Sequence, residues 1–196
     1  MKTSERILIA ATSAFGENGY DGTSLDSLAQ ELGIRKQSIL YHYPTKEALL
    51  DASVSSAIQV LSGVLSAAAK NSQDGWERIE TMVRGVFRLA IQRPELLGLL
   101  REVSRLGPPM LTKAVKGLEP LIFEATKWLE TEMGKGRIVE SDPHLLVLSM
   151  YSAIMGAATE GNLLEAMGIK QSPRDVVMRR KELLRFLKSA VIPVVN

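Results

Sequence analysis

The sequence predicts an all-α protein of about nine helices, three short ones near the N-terminus and about six longer ones after them. Three observations predict it. Apolar residues recur at helical spacing almost throughout the 196 residues, and strand-like alternation is nearly absent. Leu, Ala, Ile, Val and Met carry the apolar load of a chain that is 45% hydrophobic but only 5% aromatic. Glycines, prolines and capping residues interrupt the periodicity at helix-length intervals.

Taken in order, Ile7, Leu8, Ala11, Ala14 and Phe15 form the stripe of a first helix, which Gly19-Tyr20-Asp21-Gly22 stops. Thr23 and Ser24 are N-cap candidates for the second, with Asp26 three residues after Thr23 as in a weak capping box. Leu25, Leu28, Ala29 and Leu32 are its apolar face, and Gly33 ends it. A third short helix runs from about Arg35 to His42. Pro44 and the cap candidate Thr45 open a fourth, from Lys46 to about Ala69. After a polar break at 71–75, Trp76 to Gln92 is periodic, and Pro94 starts a helix through Val103. Gly107-Pro108-Pro109 is the strongest break, followed by Met110 to Met133 with a kink or restart at Pro120. Asp142-Pro143 and Ser172-Pro173 each set a cap before a first-position proline, opening helices over 145–167 and 176–192.

Composition narrows the function classes. The net charge of +2 carries no whole-chain signal for nucleic acid or membrane. Without cysteine there is no disulfide framework, thiolate zinc site or cysteine nucleophile. His42 and His144 are far apart in sequence, and no metal-ligand spacing, nucleophile elbow or phosphate-binding glycine loop occurs. The expectation is therefore a non-enzyme without cofactor or metal. Glu5 and Arg6 interrupt the apolar start, so an amphipathic helix is a better reading of it than a signal peptide. The uncharged run from Leu145 to Thr159 is shorter than the roughly 20 residues a membrane span requires. A soluble cytoplasmic protein with no membrane partner is expected.

Ala29, Gly33 and Ile39 have the offsets of a helix-turn-helix. Ala29 is small where two helices cross, Gly33 can take the left-handed conformation of the turn, and Ile34 and Ile39 bury the third helix. With Ile39 inward, Gln37 and Tyr41 point outward, roughly 160° and 200° away, and Ser38 and Leu40 flank them. Arg35 and Lys36 lie at the helix start, and Lys46 just beyond the Pro44 corner. An amide, a hydroxyl and a phenol flanked by cations suit DNA, the polar groups meeting bases and the cations holding the backbone. Residues 1–50 do not pass as a general polyanion binder. Lys2, Arg6, Arg35, Lys36 and Lys46 are outnumbered by Glu5, Glu17, Asp21, Asp26, Glu31 and Glu47, a net of −1. The cations nonetheless cluster on the third helix and its flanks.

The segments "RILIAATSAFGENGYDGTSLDSLAQELGI" and "ILYHYPTKEALL", within residues 4–50, resemble the DNA-binding region of the TetR family of bacterial transcriptional regulators. The resemblance implies a DNA-binding unit over 1–48 and a helical effector-binding and dimerisation domain over 49–196. It also implies a repressor released from a palindromic double-stranded operator by a small molecule. Carried over by position, Thr23 or Ser24, Lys36, Tyr41, His42 and Lys46 are implied as backbone contacts, with Arg35 beside them. Gln37, Ser38 and Leu40 are implied as base readers, Leu40 meeting only a thymine methyl. The family usually has serine at position 35, glycine or alanine at 37, tyrosine at 40 and phenylalanine at 43. Arg35, Gln37, Leu40 and Tyr43 stand there instead, on or beside the reading face, so an operator sequence does not carry over.

Beyond residue 50 only the general organisation matches, together with the stretch from Lys135 to Leu164, which resembles the family's penultimate helix. Ala153, Ala157 and Gly161 make a small-residue strip there, and Leu183 and Leu187 lie on the amphipathic last helix. The resemblance implies a homodimer through these residues. It also implies an effector pocket whose lining candidates are Met82, Phe87, Leu100, Met110, Phe123, Met150 and Met155. Two other readings stand beside this one: a constitutive DNA-binding regulator, and a helical small-molecule-binding protein.

Overall fold

The computed structural model describes residues 1–72, 75–169 and 172–193, with Pro173 described only by its backbone. Among these residues there are ten helices and no strand. They are α1 (Thr3–Gly22), α2 (Leu25–Leu32), α3 (Lys36–His42), α4 (Lys46–Lys70) and α5 (Trp76–Gln92), then α6 (Pro94–Leu106), α7 (Met110–Gly134), α8 (Pro143–Thr159), α9 (Gly161–Ala166) and α10 (Pro173–Val191). The chain forms two compact units: residues 1–60 with 93–117, and residues 61–92 with those from 118 onward.

In the first unit, Ile7, Phe15, Leu28, Ile39, Leu49, Leu50, Leu96, Leu97 and Leu99 are fully buried. Packing groups α6 with the N-terminal helices and does not divide the chain at residues 48 and 49, because α1 packs on α6 as well as on α2 and α3. Two glycines permit that crossing. A Cβ on Gly16 would lie 2.4 Å from the Glu95 carbonyl oxygen, and one on Gly98 would lie 2.7 Å from the Gly16 oxygen.

Several local expectations change. The first helix resumes after a break at Gly19 (φ 73°, ψ 172°) and reaches Gly22. Ser24, not Thr23, caps α2, and it forms the capping box with Ser27 in place of Asp26. α7 runs through Pro120 as one helix. The single helix expected over 145–167 divides at Glu160 (φ −82°, ψ 43°) into α8 and α9. Asp142 and Ser172 cap their helices as expected: Asp142 accepts from the His144 and Leu145 N–H groups, and Ser172 from the Asp175 N–H. A longer uncharged run than Leu145–Thr159 lies in α4, at 52–69. By length and composition α4 is long and apolar enough to cross a membrane. Leu50, Val54, Ala57, Ile58 and Leu61 are nevertheless buried along it, the signature of a core-facing helix.

The second unit is built on Ile79, Val83, Phe87, Leu129, Ile138, Leu183, Leu187 and Val191, with α5, α8 and α10 packed together. This placement bears on two sets of expected residues. Leu183 and Leu187, expected at a dimer interface, are 8% and 3% exposed and pack in the protomer's own core. Ala153 and Ala157 pack partly buried against the same core, and Gly161 begins α9. The apolar side chains facing outward from α8 to α10 are others: Leu145, Leu148, Leu163, Met167, Met178 and Phe186 are all more than half exposed.

The expected pocket residues lie in both units. Leu100 and Met110 belong to the first unit, and the other five to the second. Phe87 is wholly enclosed by core, whereas Phe123 is 62% exposed. Met82 and Met150 are half-buried, and Met155 is buried.

Candidate nucleic-acid interface

The turn between α2 and α3 rests on Gly33, whose φ of 65° and ψ of 33° are left-handed. Its N–H donates to the Ala29 and Gln30 carbonyls, and the Ile34 N–H returns to Ala29 at 3.0 Å. These bonds close the end of α2 and aim the next residues into α3. Ile39, fully buried, anchors α3. At the far end of α3 the Tyr43 hydroxyl donates to the Ser4 carbonyl at 3.2 Å, joining it to the start of α1. Burial pushes the Tyr43 phenol up, so the donor proton is retained at neutral pH.

Because Ile39 fixes the rotation of α3, the opposite face is presented to solvent. Arg35, Gln37 and His42 are exposed, and Tyr41 is 84% exposed, with the His42 ring edge-on to it at 5.1 Å. Ser38 and Leu40 are half-buried at the flanks. Arg35, Gln37, Ser38, Tyr41 and His42 line one open concavity of about 450 Å³. Thr3, from the first turn of α1, lines it too, and sequence reasoning missed it. No periodicity links the start of α1 to α3; only the tertiary fold brings them together.

The cations sit around this face in different states. Lys36 pairs with Asp26 at 2.8 Å, an exposed contact of little energetic weight that DNA phosphate can replace. Lys46 stands with its Nζ 4.1 Å from the centre of the Tyr20 ring. Thr45 caps α4 by accepting from the Ala48 N–H at 3.0 Å, which places Lys46 in the first helical turn. One expected contact is corrected. Thr23 is 3% exposed and its hydroxyl donates to the Gly19 carbonyl at 2.8 Å, so its side chain serves the inside of the turn. Ser24 is exposed, and its Oγ accepts from the Ser27 N–H at 3.0 Å. The surface therefore offers exposed amide, imidazole and phenol groups on one short helix, with a guanidinium at its N-cap. Such groups can hydrogen-bond base edges and phosphates.

Comparison with known proteins agrees with this geometry. Residues 7–53 match the family model described as bacterial regulatory proteins, tetR family. The HTH-type transcriptional regulator RutR of Escherichia coli K12 is 25% identical over 162 residues, covering 82% of this chain and 76% of RutR. The negative transcriptional regulator IcaR of the icaADBC biofilm operon in Staphylococcus aureus is 34% identical over 61 residues, 31% of this chain and 33% of IcaR. The crystal structure of AibR with isovaleryl coenzyme A and operator DNA superposes with a TM-score of 0.77 at 16% identity, covering 94% of this chain and 97% of that one. The matched region, the motif order and the all-helical fold agree, and over residues 7–53 this chain is similar to the tetR family of bacterial regulatory proteins.

Proposed function

We propose that the protein is a cytoplasmic homodimeric repressor that binds a partly palindromic operator and leaves it when a small molecule binds. The observation that carries this reading is the outward face of α3, with Tyr41 84% exposed and Ile39 fully buried on the opposite side. Gln37, Ser38 and Leu40 read bases; Ser24, Arg35, Lys36, Tyr41, His42 and Lys46 hold the backbone. Residues 1–48 serve DNA, and 49–196 serve assembly and the effector. No step of this work is catalytic.

The dimer is supported by the exposed apolar side chains of α8 to α10, from Leu145 to Phe186. Two copies related by a two-fold axis would cover such a surface and present two α3 helices to two half-sites. Repression is supported by the name of IcaR, a negative regulator. An effector is supported by AibR, whose structure holds an acyl coenzyme A beside operator DNA. In this chain Met82, Met150 and Met155, which are partly or fully buried in the second unit, are the lining candidates, since methionine adapts to irregular apolar ligands. An operator fixes half-site spacing near one helical turn or a multiple, so a small rigid-body shift breaks register.

Selection of genomic DNA fragments by the purified protein tests the reading. Enriched fragments should share an inverted repeat with half-sites spaced by about one turn or a multiple. Absence of enrichment at low salt would favour the helical small-molecule-binding alternative. A thermal-shift screen against a metabolite panel then tests the effector: a stabilising compound should weaken operator binding by roughly 5- to 150-fold. A compound that binds tightly and leaves operator affinity unchanged is not the inducer.

A further inference from the structure

Tyr20 occupies a position that DNA reading does not by itself explain. At Gly19 the backbone leaves the helical region (φ 73°, ψ 172°), a conformation open to glycine. The break frees the Tyr20 N–H from the helix ladder, and the N–H donates instead to Glu102 Oε1 of α6 at 2.8 Å. A Cβ at position 19 would lie 3.0 Å from that same oxygen, so no other residue fits there without moving the carboxylate. Glu102 is 8% exposed and is gripped by Arg105 through two bonds of 2.7 Å. The backbone of Tyr20 is thus pinned to a buried, charge-paired carboxylate.

The side chain of Tyr20 reaches the other way, to the start of α4. Its ring stacks on the buried Phe15 at 5.9 Å, and its hydroxyl donates to Glu47 at 2.5 Å. The Lys46 ammonium lies over the same ring, 4.1 Å from its centre. A lysine on a helix surface ordinarily samples many rotamers, and fixing it on binding costs entropy. A cation held over an aromatic face has already lost much of that freedom.

We infer that Tyr20 is a positioning residue for DNA binding, its ring holding Lys46 in place for a backbone phosphate and its N–H fixed by Glu102. The inference rests on the proposed DNA-binding role of Lys46. Tyr20 itself touches no DNA in this arrangement; it acts through Lys46 alone.

A double-mutant cycle on the full-length protein tests it, with the enriched operator fragment as probe and a salt series as readout. Lys46→Ala should weaken binding and make the salt slope shallower by about 0.9, one phosphate contact. Tyr20→Leu should weaken binding roughly 2- to 5-fold, the range of an exposed cation–π contact, while Tyr20→Phe, which keeps the ring, should not. In the Lys46→Ala background Tyr20→Leu should have no further effect. Additive losses would overturn the inference, as would equal losses for Tyr20→Leu and Tyr20→Phe. If Lys36→Ala weakens binding but Lys46→Ala does not, the inference fails while the DNA reading stands; if neither does, the backbone roles assigned to both fail. Should Tyr20→Leu not fold, NMR of the unmodified protein decides. The Lys46 side-chain methylene protons should be shifted upfield by the Tyr20 ring, and ordinary lysine shifts would overturn the proposal.

Discussion

Gln37 and Lys36 are neighbours whose substitution should have different consequences. Gln37 stands exposed with an amide that can bond adenine in two places, so Gln37→Ala should cost roughly 1–3 kcal/mol on the operator and much less on random DNA. Lys36 is held by Asp26, and that pair predicts a gain: Asp26→Asn frees the ammonium and removes a negative charge near the phosphates. Operator and random duplexes should both bind more tightly in anisotropy titrations, with little change in melting temperature because the pair is exposed. Unchanged affinity would mean that Lys36 does not meet phosphate. Glu102 gives a pH prediction. Arg105 first, and then the Tyr20 N–H, hold its carboxyl below the usual range against the opposing effect of burial. A depressed folded-state pKa contributes stability that is present above the unfolded value, near pH 4.5, and is lost as pH falls through the folded one. Glu102→Gln should therefore lower stability at pH 7 and flatten its acid dependence below about pH 4.5, measured by urea unfolding across pH. At this scale the reading face was legible, because a single inward residue, Ile39, fixes the direction of every side chain on a short helix. The choice between Thr23 and Ser24 was not legible. Both can cap, and only the break at Gly19 decides which hydroxyl turns inward.

Among the elements, the crossing of α1 and α6 carries the sharpest stability prediction. Gly16→Ala places a methyl group 2.4 Å from a backbone oxygen and should cost about 1–3 kcal/mol or more, because neither helix backbone can yield cheaply. Gly33 is the control. A Cβ there meets nothing within 4 Å, so the cost is conformational only, about 1–2 kcal/mol for Gly33→Ala and less for Gly33→Asn, since asparagine tolerates the left-handed region. Asparagine at position 16 should be worse than alanine, and denaturant midpoints would show this reversal of order. The role of Gly33 was readable in sequence because the turn it serves is local. That of Gly16 was not, because its partner Gly98 is 82 residues away and no helical period connects them. The caps at Asp142 and Ser172 were readable for the same reason as Gly33. The division of α8 from α9 at Glu160 was not, since apolar spacing runs on through it.

For the molecule as a whole, assembly depends on which face of the last helices is free. Amphipathicity showed that α10 has an apolar stripe, yet a stripe does not say whether it meets its own chain or a second copy. Leu183 and Leu187 meet their own chain, and Met178 and Phe186 are left outside. Phe186→Glu should convert a dimer into a folded monomer in light scattering, whereas Leu187→Ala should cost about 2–5 kcal/mol of stability. A dimer unaffected by Phe186→Glu and Met178→Glu together would move the interface elsewhere. The net charge of −1 over residues 1–50 bears on the central claim, since bulk attraction does not account for binding and the α3 face must. Fluorescence anisotropy with the selected operator and a scrambled duplex, over a salt series, tests this most directly. The intact protein should prefer the operator, and Gln37→Ala should erase part of that preference without changing the salt slope. Equal affinity for the two duplexes, or equal losses on both for Gln37→Ala, would contradict the assignment of α3 as the reader.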